Sequence, residues 1–293
     1  NLGGGMSASF WLEAGLTTDN GSGQVTNTNN QASGGGAAGG LAFGRRSTVS
    51  LLGPWGEVRA GRDHVAHYRN RLEVDPFASV GVGTIQPQAG TLGGNTSTRV
   101  SNFVGYYLPS GLGGFYGFGQ YYFGENPGNG AATEDDGTGA SVRLGYAAGP
   151  LNVSVATGRT EYARTAATGD ITSSNIGIQY KLGPADILLG YFSDKGEALT
   201  PFTGRGASLG TVVNVGSGQI KAAWSYYGSD AGAKPKTRKL SLGYVHNLSK
   251  RTALYGTYAR VGNSGGATAA LNGAVTGANQ SSSGWDLGLR HSF

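Results

Sequence analysis

Five arginines fall within residues 44–70, at Arg45, Arg46, Arg59, Arg62 and Arg69, in the stretch GRRSTVSLLGPWGEVRAGRDHVAHYRN. A guanidinium stays charged at every relevant pH and binds carboxylates and phosphates through a fixed fork of donors. A group of them facing water attracts anions and repels cations, and holds anions loosely because water and salt screen the charge. Acidic residues lie close in the chain: Glu13 in FWLEAG, and Glu73 and Asp75 in LEVDPF. They could hold arginines in place by charge-assisted hydrogen bonds.

Other chemistry is weakly supported. His64 and His67 lie near Asp63, but no convincing third metal ligand joins them, and the chain has no cysteine for a thiolate site or a disulfide. GLGGFYGFG looks like a phosphate-binding glycine loop, yet that motif must lead into a helix and QYYFG follows. Asp286, His291 and Ser292 could supply a nucleophilic set, but alternation sends His291 to the opposite face from Asp286 and Ser292. No catalytic residue, cofactor or metal is therefore expected. A net charge of +5 and a pI near 9.3, without a lysine-rich run or an aromatic-basic cluster, favour small anions over nucleic acid as partners.

The arginines sit among Val49, Leu51 and Val58, spaced as on a strand with one apolar face. The pattern recurs along the chain. Ala8, Phe10, Leu12 and Ala14 oppose Ser7, Ser9, Trp11 and Glu13; Val142, Leu144 and Tyr146 oppose Ser141, Arg143 and Gly145. Lys181, Lys221, Lys239 and Arg290 fall on the polar face of their segments, and Trp285, Leu287, Leu289 and Phe293 on the apolar face of the last. Segments of this kind number about fourteen, each of about ten residues, the length that crosses a bilayer as a tilted strand. No run of 18 apolar residues and no trustworthy helix-periodic segment is present. With 55 glycines, 13% charged and 38% hydrophobic residues, the chain is too poor in apolar residues for a thick dry core and too rich in aromatics for disorder. A wall one sheet thick, oily outside and wet inside, fits.

Connectors are of two kinds that largely alternate. Short ones lie at 54–56, 110–114, 148–150, 183–185 and 249–252; long polar ones at 20–40, 64–98, 125–137, 197–210 and 264–282. Such alternation matches the short periplasmic turns and long external loops of an outer-membrane barrel.

The blocks LGGGMSASFWLEAG, RRSTVSL, GEVRAGRD, EVDPFA, TRVSNFVGYYLPSGLGGFYGFGQYYFGE, LGYVHNLSKRTALYGTYA and LGLRHSF, in that order, resemble the general porins of β-proteobacteria over essentially the whole chain, with closest similarity to anion-selective members. The resemblance implies an all-β, 16-stranded transmembrane antiparallel β-barrel, of which about 14 strands are present here, as a single domain over 1–293 with the loop 64–98 folded into the lumen. That family opens with a strand, loop and strand before the LGGG turn. A segment of roughly forty residues is thus expected to be missing ahead of Asn1, a true fourteen-strand barrel being the alternative.

The resemblance also implies a function and its residues. The protein would be an outer-membrane diffusion channel for small hydrophilic solutes and ions, favouring anions, with no enzymatic activity. A substrate-specific channel for an organic acid is the alternative; a barrel enzyme or a plugged structural barrel follows behind. Matching blocks places Arg46, Arg62 and Arg99 in a wall ladder opposite the loop, with Glu13, Glu73 and Asp75 completing the constriction. Arg46 shares lumen parity with Thr48 and Ser50, and Arg99 with Ser101 and Gly105. Arg62 shares its face with Val58 and Ala60, so it must lie above the apolar band or follow a bulge. Arg45 and Arg69 read as solvated surface. Glu73 and Asp75 either face the pore or fix the loop from within. Lys181, Lys221, Lys239, Arg143 and Arg290 would line the inner wall, and Phe293 with Trp285 would form the signal read by the barrel assembly machinery. The implied partners are small anions and hydrophilic solutes, outer-membrane lipid and lipopolysaccharide, and two further copies in a homotrimer.

Overall fold

The computed structural model of the chain describes residues 1–18, 20–34, 40–95 and 97–293; positions 35–39 of the connector 20–40 and position 96 of the loop 64–98 lie outside the described residues. Among the described residues there are fourteen strands: β1 (Ser7–Glu13), β2 (Arg46–Gly53), β3 (Gly56–His64), β4 (Arg99–Tyr107), β5 (Phe115–Tyr122), β6 (Gly139–Ala148), β7 (Leu151–Thr160), β8 (Ile171–Leu182), β9 (Ala185–Gly196), β10 (Phe202–Val215), β11 (Gly218–Ser229), β12 (Lys236–Asn247), β13 (Thr252–Ser264) and β14 (Ser282–His291). Each pairs antiparallel with its chain neighbours, so sheet order is chain order, and β1 and β14 are the two edges.

The pleat makes this a wall between oil and water. On β6, Val142, Leu144 and Tyr146 are exposed while Gly139, Ser141, Arg143 and Gly145 are buried. The same inversion of the soluble pattern recurs on β12, where Leu240 and Leu242 are exposed and Lys239 and Ser241 buried. Leaving one large apolar side chain in water costs about 2 kcal/mol. A band of them around every strand is stable only against lipid.

The described residues between β3 and β4 pack against one face of the sheet. Helix α1 (Ala66–Glu73) packs against β5 to β8, and a short 3-10 turn over Ala89–Leu92 reaches β11 and β12. The tip reaches β14, where Val82 N–H donates to Asp286 at 2.5 Å. A sheet touched on one face by a single loop from β5 round to β14 is curled about that loop. The apolar clusters lie at this contact. Val74, Phe77 and Ile85 pack on Leu188, Phe192 and Ala223; Val82 packs on Ala259 and Val261; Val65 packs on Val100, Phe103 and Tyr122.

Two expectations change. The segment 197–210 is not all loop, because β10 begins at Phe202. Two of its glycines serve close approach: a Cβ at Gly206 would meet the Pro87 carbonyl and one at Gly210 would meet the Pro76 ring. Gly158, Gly177 and Gly243 do the same for His67, Val74 and Phe77, each within 3.0 Å of the added carbon. These lumen-facing glycines trace the footprint of the loop. The second change is α1, which the sequence reading did not recognise. It is short, and it buries the polar side chains of His67, Asn70 and Arg71 against a polar wall, so no apolar stripe marks it. Val65 offers no side-chain cap; instead the Ala66 N–H donates to Ser141 Oγ on β6 at 3.3 Å.

Candidate functional site

Beside the loop a cavity of about 640 Å³ is lined by Trp11, Glu13, Arg45, Arg46, Glu57, Arg59, Asp63, His64, Arg69, Tyr107, Tyr116 and Arg143. β1, β2 and β3 supply one wall, since Glu13 stands opposite Arg46 in the β1–β2 register and β3 turns Glu57, Arg59 and Asp63 to one face. α1 supplies Arg69, and β6 supplies Arg143.

Three of these arginines are fixed. Arg46 lies over the Trp11 ring at 4.7 Å and 3.2 Å from Asp63. Arg59 lies over Tyr107 at 4.0 Å and donates to Glu57 through Nε at 2.7 Å and Nη2 at 3.0 Å, and to Asp63 through Nη1 at 2.7 Å. Arg143 stacks on Tyr116 at 4.8 Å, donates through Nε to Asn70 at 2.8 Å, and pairs with Glu73. Their side chains are 18%, 16% and 5% exposed. Arg45 and Arg69 differ, at 48% and 51%, with carboxylates only at 4.0 Å (Glu13) and 3.9 Å (Glu73). They are not merely outer surface: both line the cavity and carry its least neutralised charge.

The structure separates residues that the sequence reading grouped. A bulge on β4 sets Ser101 and Asn102 against Arg62, with the register shifting between Gly61 and Asp63. Arg62 donates to the carbonyls of Gly44 (2.6 Å) and Asn27 (2.8 Å) and to Ser101 Oγ (2.7 Å). With Arg99 it lines a smaller cavity of about 220 Å³ under residues 27–34, apart from Arg46. Asn30, at φ 57°, closes this roof by accepting the Ser101 N–H at 2.7 Å and donating to the carbonyls of Ser101, Phe123 and Gly137. There the buried phenol of Tyr162 is pushed up to about 12 by loss of water.

Asp75 does not face the cavity. At 5% exposure it accepts from the N–H groups of Phe77 (3.0 Å), Ser79 (2.9 Å) and Ile85 (3.3 Å) and from Thr84 Oγ1 (2.6 Å). These bonds hold a tip in which Ala78 and Ser79 both take left-handed backbone, φ 51° and 60°. Arg71 completes the tip by donating to the Ile85 carbonyl (3.0 Å) and Ser79 Oγ (2.8 Å). Lys239 is likewise buried beneath the loop, Lys181 is exposed at the end of β8, and Lys221 and Arg290 line a second cavity with Phe77.

Sequence reasoning left Arg59, Asn70 and Asp194 unassigned. Asn70 donates to the Ser154 carbonyl and to Asn175, and accepts from Ser154 and Arg143. Asp194 on β9 accepts the Ala89 N–H at 2.8 Å, Ser173 Oγ at 2.6 Å and Tyr227 OH at 2.8 Å. Lumen parity signalled both Arg59 and Asp194; nothing local signalled Asn70. His67 Nε2 is 3.2 Å from the Ser97 carbonyl, and burial with the nearby Arg71 charge pushes its imidazole down to about 4. His64 stacks on Tyr68, and among the described residues no three His, Asp or Glu side chains converge as a metal site. His291 bonds Thr252 at 2.9 Å and Asp286 holds the loop tip. The Trp285 ring lies tilted against Tyr258, 4.6 Å between centroids, and Phe293 stands exposed beside His291.

A family model described as Gram-negative porin matches residues 1–266. Outer membrane porin protein 32 of Delftia acidovorans is 35% identical, aligned over 100% of this chain and 82% of that protein. The solved anion-selective porin from Comamonas acidovorans superposes with a TM-score of 0.83 at 32% identity, over 100% of this chain and 86% of that one. Salmonella typhi OmpF, at 12% identity and a TM-score of 0.65 over 99% of this chain and 87% of its own, shares the fold.

Proposed function

The chain belongs to the Gram-negative porin family, outer-membrane β-barrel channels, and we propose that it passes small hydrophilic solutes by passive diffusion with a preference for anions set at the arginine-lined cavity beside the loop. The observation that carries this is a charge imbalance: five arginines line the cavity against Glu13, Glu57 and Asp63 in its wall and Glu73 beside Arg69 and Arg143. Arg45 and Arg69 contact the passing anion. Arg46, Arg59 and Arg143, clamped between rings and carboxylates, fix the aperture and its field.

The chemistry needed is small. An anion trades part of its water shell for guanidinium donors, and water screening keeps the hold weak enough for release. The solute gradient drives passage, so no catalytic residue or cofactor takes part. Relatives being an anion-selective porin and an outer membrane porin supports this reading. Assembly as a homotrimer in lipid and lipopolysaccharide, through a C-terminal signal at Phe293 and Trp285, belongs to the same proposal. The constriction loop is the segment 64–98 of a single barrel domain.

The test is the zero-current potential of the protein in a planar bilayer under a KCl gradient. Chloride preference that falls in R45A/R69A is expected. Cation preference would overturn the assignment of the cavity, and a barrel that never conducts would overturn the channel.

A further inference from the structure

A second cavity, of about 500 Å³, lies on the far side of the loop tip. Its walls include Phe77 and Val80 from the loop, Lys221 from β11, Val245 from β12, Tyr255 from β13 and Arg290 from β14. Lys221 lies three residues from the start of β11 and Arg290 one residue from the end of β14, whose partner Thr252 starts β13. Both cations are therefore near the rim that carries the short turns.

Two features set this cavity apart from the first. Its cations are unpaired: among the described residues, neither Lys221 nor Arg290 has an ion-pair partner. They are close enough for the Arg290 charge to act on Lys221. One carboxylate, Asp286, also lines the cavity and accepts the Val82 N–H, while Asp75 is turned into the loop by its four donors, which leaves two cations against one acid. The cavity is also apolar and aromatic. Val80 is 71% and Tyr255 39% exposed, and the Phe77 ring lies 6.0 Å from Lys221 Nζ.

We propose that Lys221 and Arg290, with Phe77, Val80 and Tyr255, form a second anion station at the short-turn end of the lumen that takes small aromatic carboxylates. The ammonium and the guanidinium fork receive the carboxylate. The rings and Val80 receive the aryl group by offset or edge contacts. The volume lies in the range of small-molecule sites lined by apolar groups with a few placed charges. A compact hydrophilic anion would gain only the charges and leave the apolar wall uncovered. This inference rests on the lumen being open to solute, but not on where ion selectivity is set.

The test is saturation-transfer NMR on the detergent-solubilised full chain with benzoate and, in parallel, acetate. Transfer to the benzoate ring protons is expected, at least fivefold weaker in K221Q/R290Q and restored when K221R/R290K keeps both charges. Tyr255→Ser is expected to weaken benzoate binding while leaving acetate unaffected, and acetate at equal concentration should not displace benzoate. Equal transfer in K221Q/R290Q, or displacement by equimolar acetate, overturns the station. Because this readout needs no current, a protein that binds benzoate but does not conduct would refute the channel reading alone.

Discussion

Arg59 Nη1 donates to Asp63 Oδ2 at 2.7 Å, and the same oxygen lies 3.2 Å from Arg46 Nε. One carboxylate thus neutralises part of two wall arginines. On the proposed function, the anion preference of the cavity depends as much on where its acids sit as on how many arginines it holds.

Removing that acid should sharpen selectivity. A unit charge about 7 Å from a passing ion in water is worth about 0.6 kcal/mol, a roughly threefold change in ion ratio. Asp63→Asn is expected to raise chloride preference by about that factor at 0.1 M KCl and by less at 1 M, where the charge is screened. Zero-current potentials at the two salt concentrations check both the sign and the salt dependence.

Arg45→Ala and Arg69→Ala should each lower anion preference by about threefold on the same argument, with the barrel's thermal stability unchanged. Arg143→Ala should behave differently. It strips Glu73 and Asn70 of a buried partner, at a cost of about 3 kcal/mol, and so loosens α1 from the wall. Thermal unfolding separates the two classes of arginine.

Asp75→Ala should free the loop tip. Four donors lose their acceptor, and the left-handed pair Ala78–Ser79 loses its brace. Unmet buried donors cost about 1–3 kcal/mol each. Faster proteolytic cleavage near residues 78–81 is expected, with noisier single-channel current.

Acid should loosen the loop through His67. Its folded value is depressed to about 4 from a usual 6.5 by burial, so the unfolded chain binds the extra proton first. The stability it contributes is complete above pH 6.5 and is lost as pH falls toward 4, a change of about 3 kcal/mol over that window. The hydrogen-exchange protection factors of residues 66–73, that is, exchange relative to the intrinsic amide rate at each pH, should fall between pH 7 and 4.5, and His67→Gln should flatten that dependence.

Enlarging the small residues beneath the loop should displace it. Gly177→Leu and Gly210→Leu would drive side chains into the Val74 side chain and the rigid Pro76 ring. Both variants should conduct less than the parent, because the loop is pushed off β8 and β10 toward the arginine-lined cavity. An unchanged conductance would mean that the loop does not set the aperture.

The strands were legible because a pleat is local: residue i and residue i+2 share a face whatever else the chain does. Lys221, Lys239, Arg143 and Arg290 could therefore be assigned from sequence to the polar face of their strands, and the parity conflict at Arg62 has its counterpart in the β4 bulge opposite it. Helix α1 and the first half of β10 were not legible. Each is shaped by what it packs against, α1 by the polar face of β5 to β8 and the β10 glycines by Pro76 and Pro87, so neither shows the pattern that it would have alone.

The sequence by itself determined the wall, its two faces and the set of charges turned inward. Tertiary structure decided which of those charges are spent. Arg143 meets Glu73 across 70 positions of chain and Asn30 meets Gly137 across 107, while Arg45 and Arg69 stay half exposed. Alternation fixes the side to which a charge points, but a Coulomb partner is fixed only by distance in space, and the packing of the loop against the sheet sets those distances.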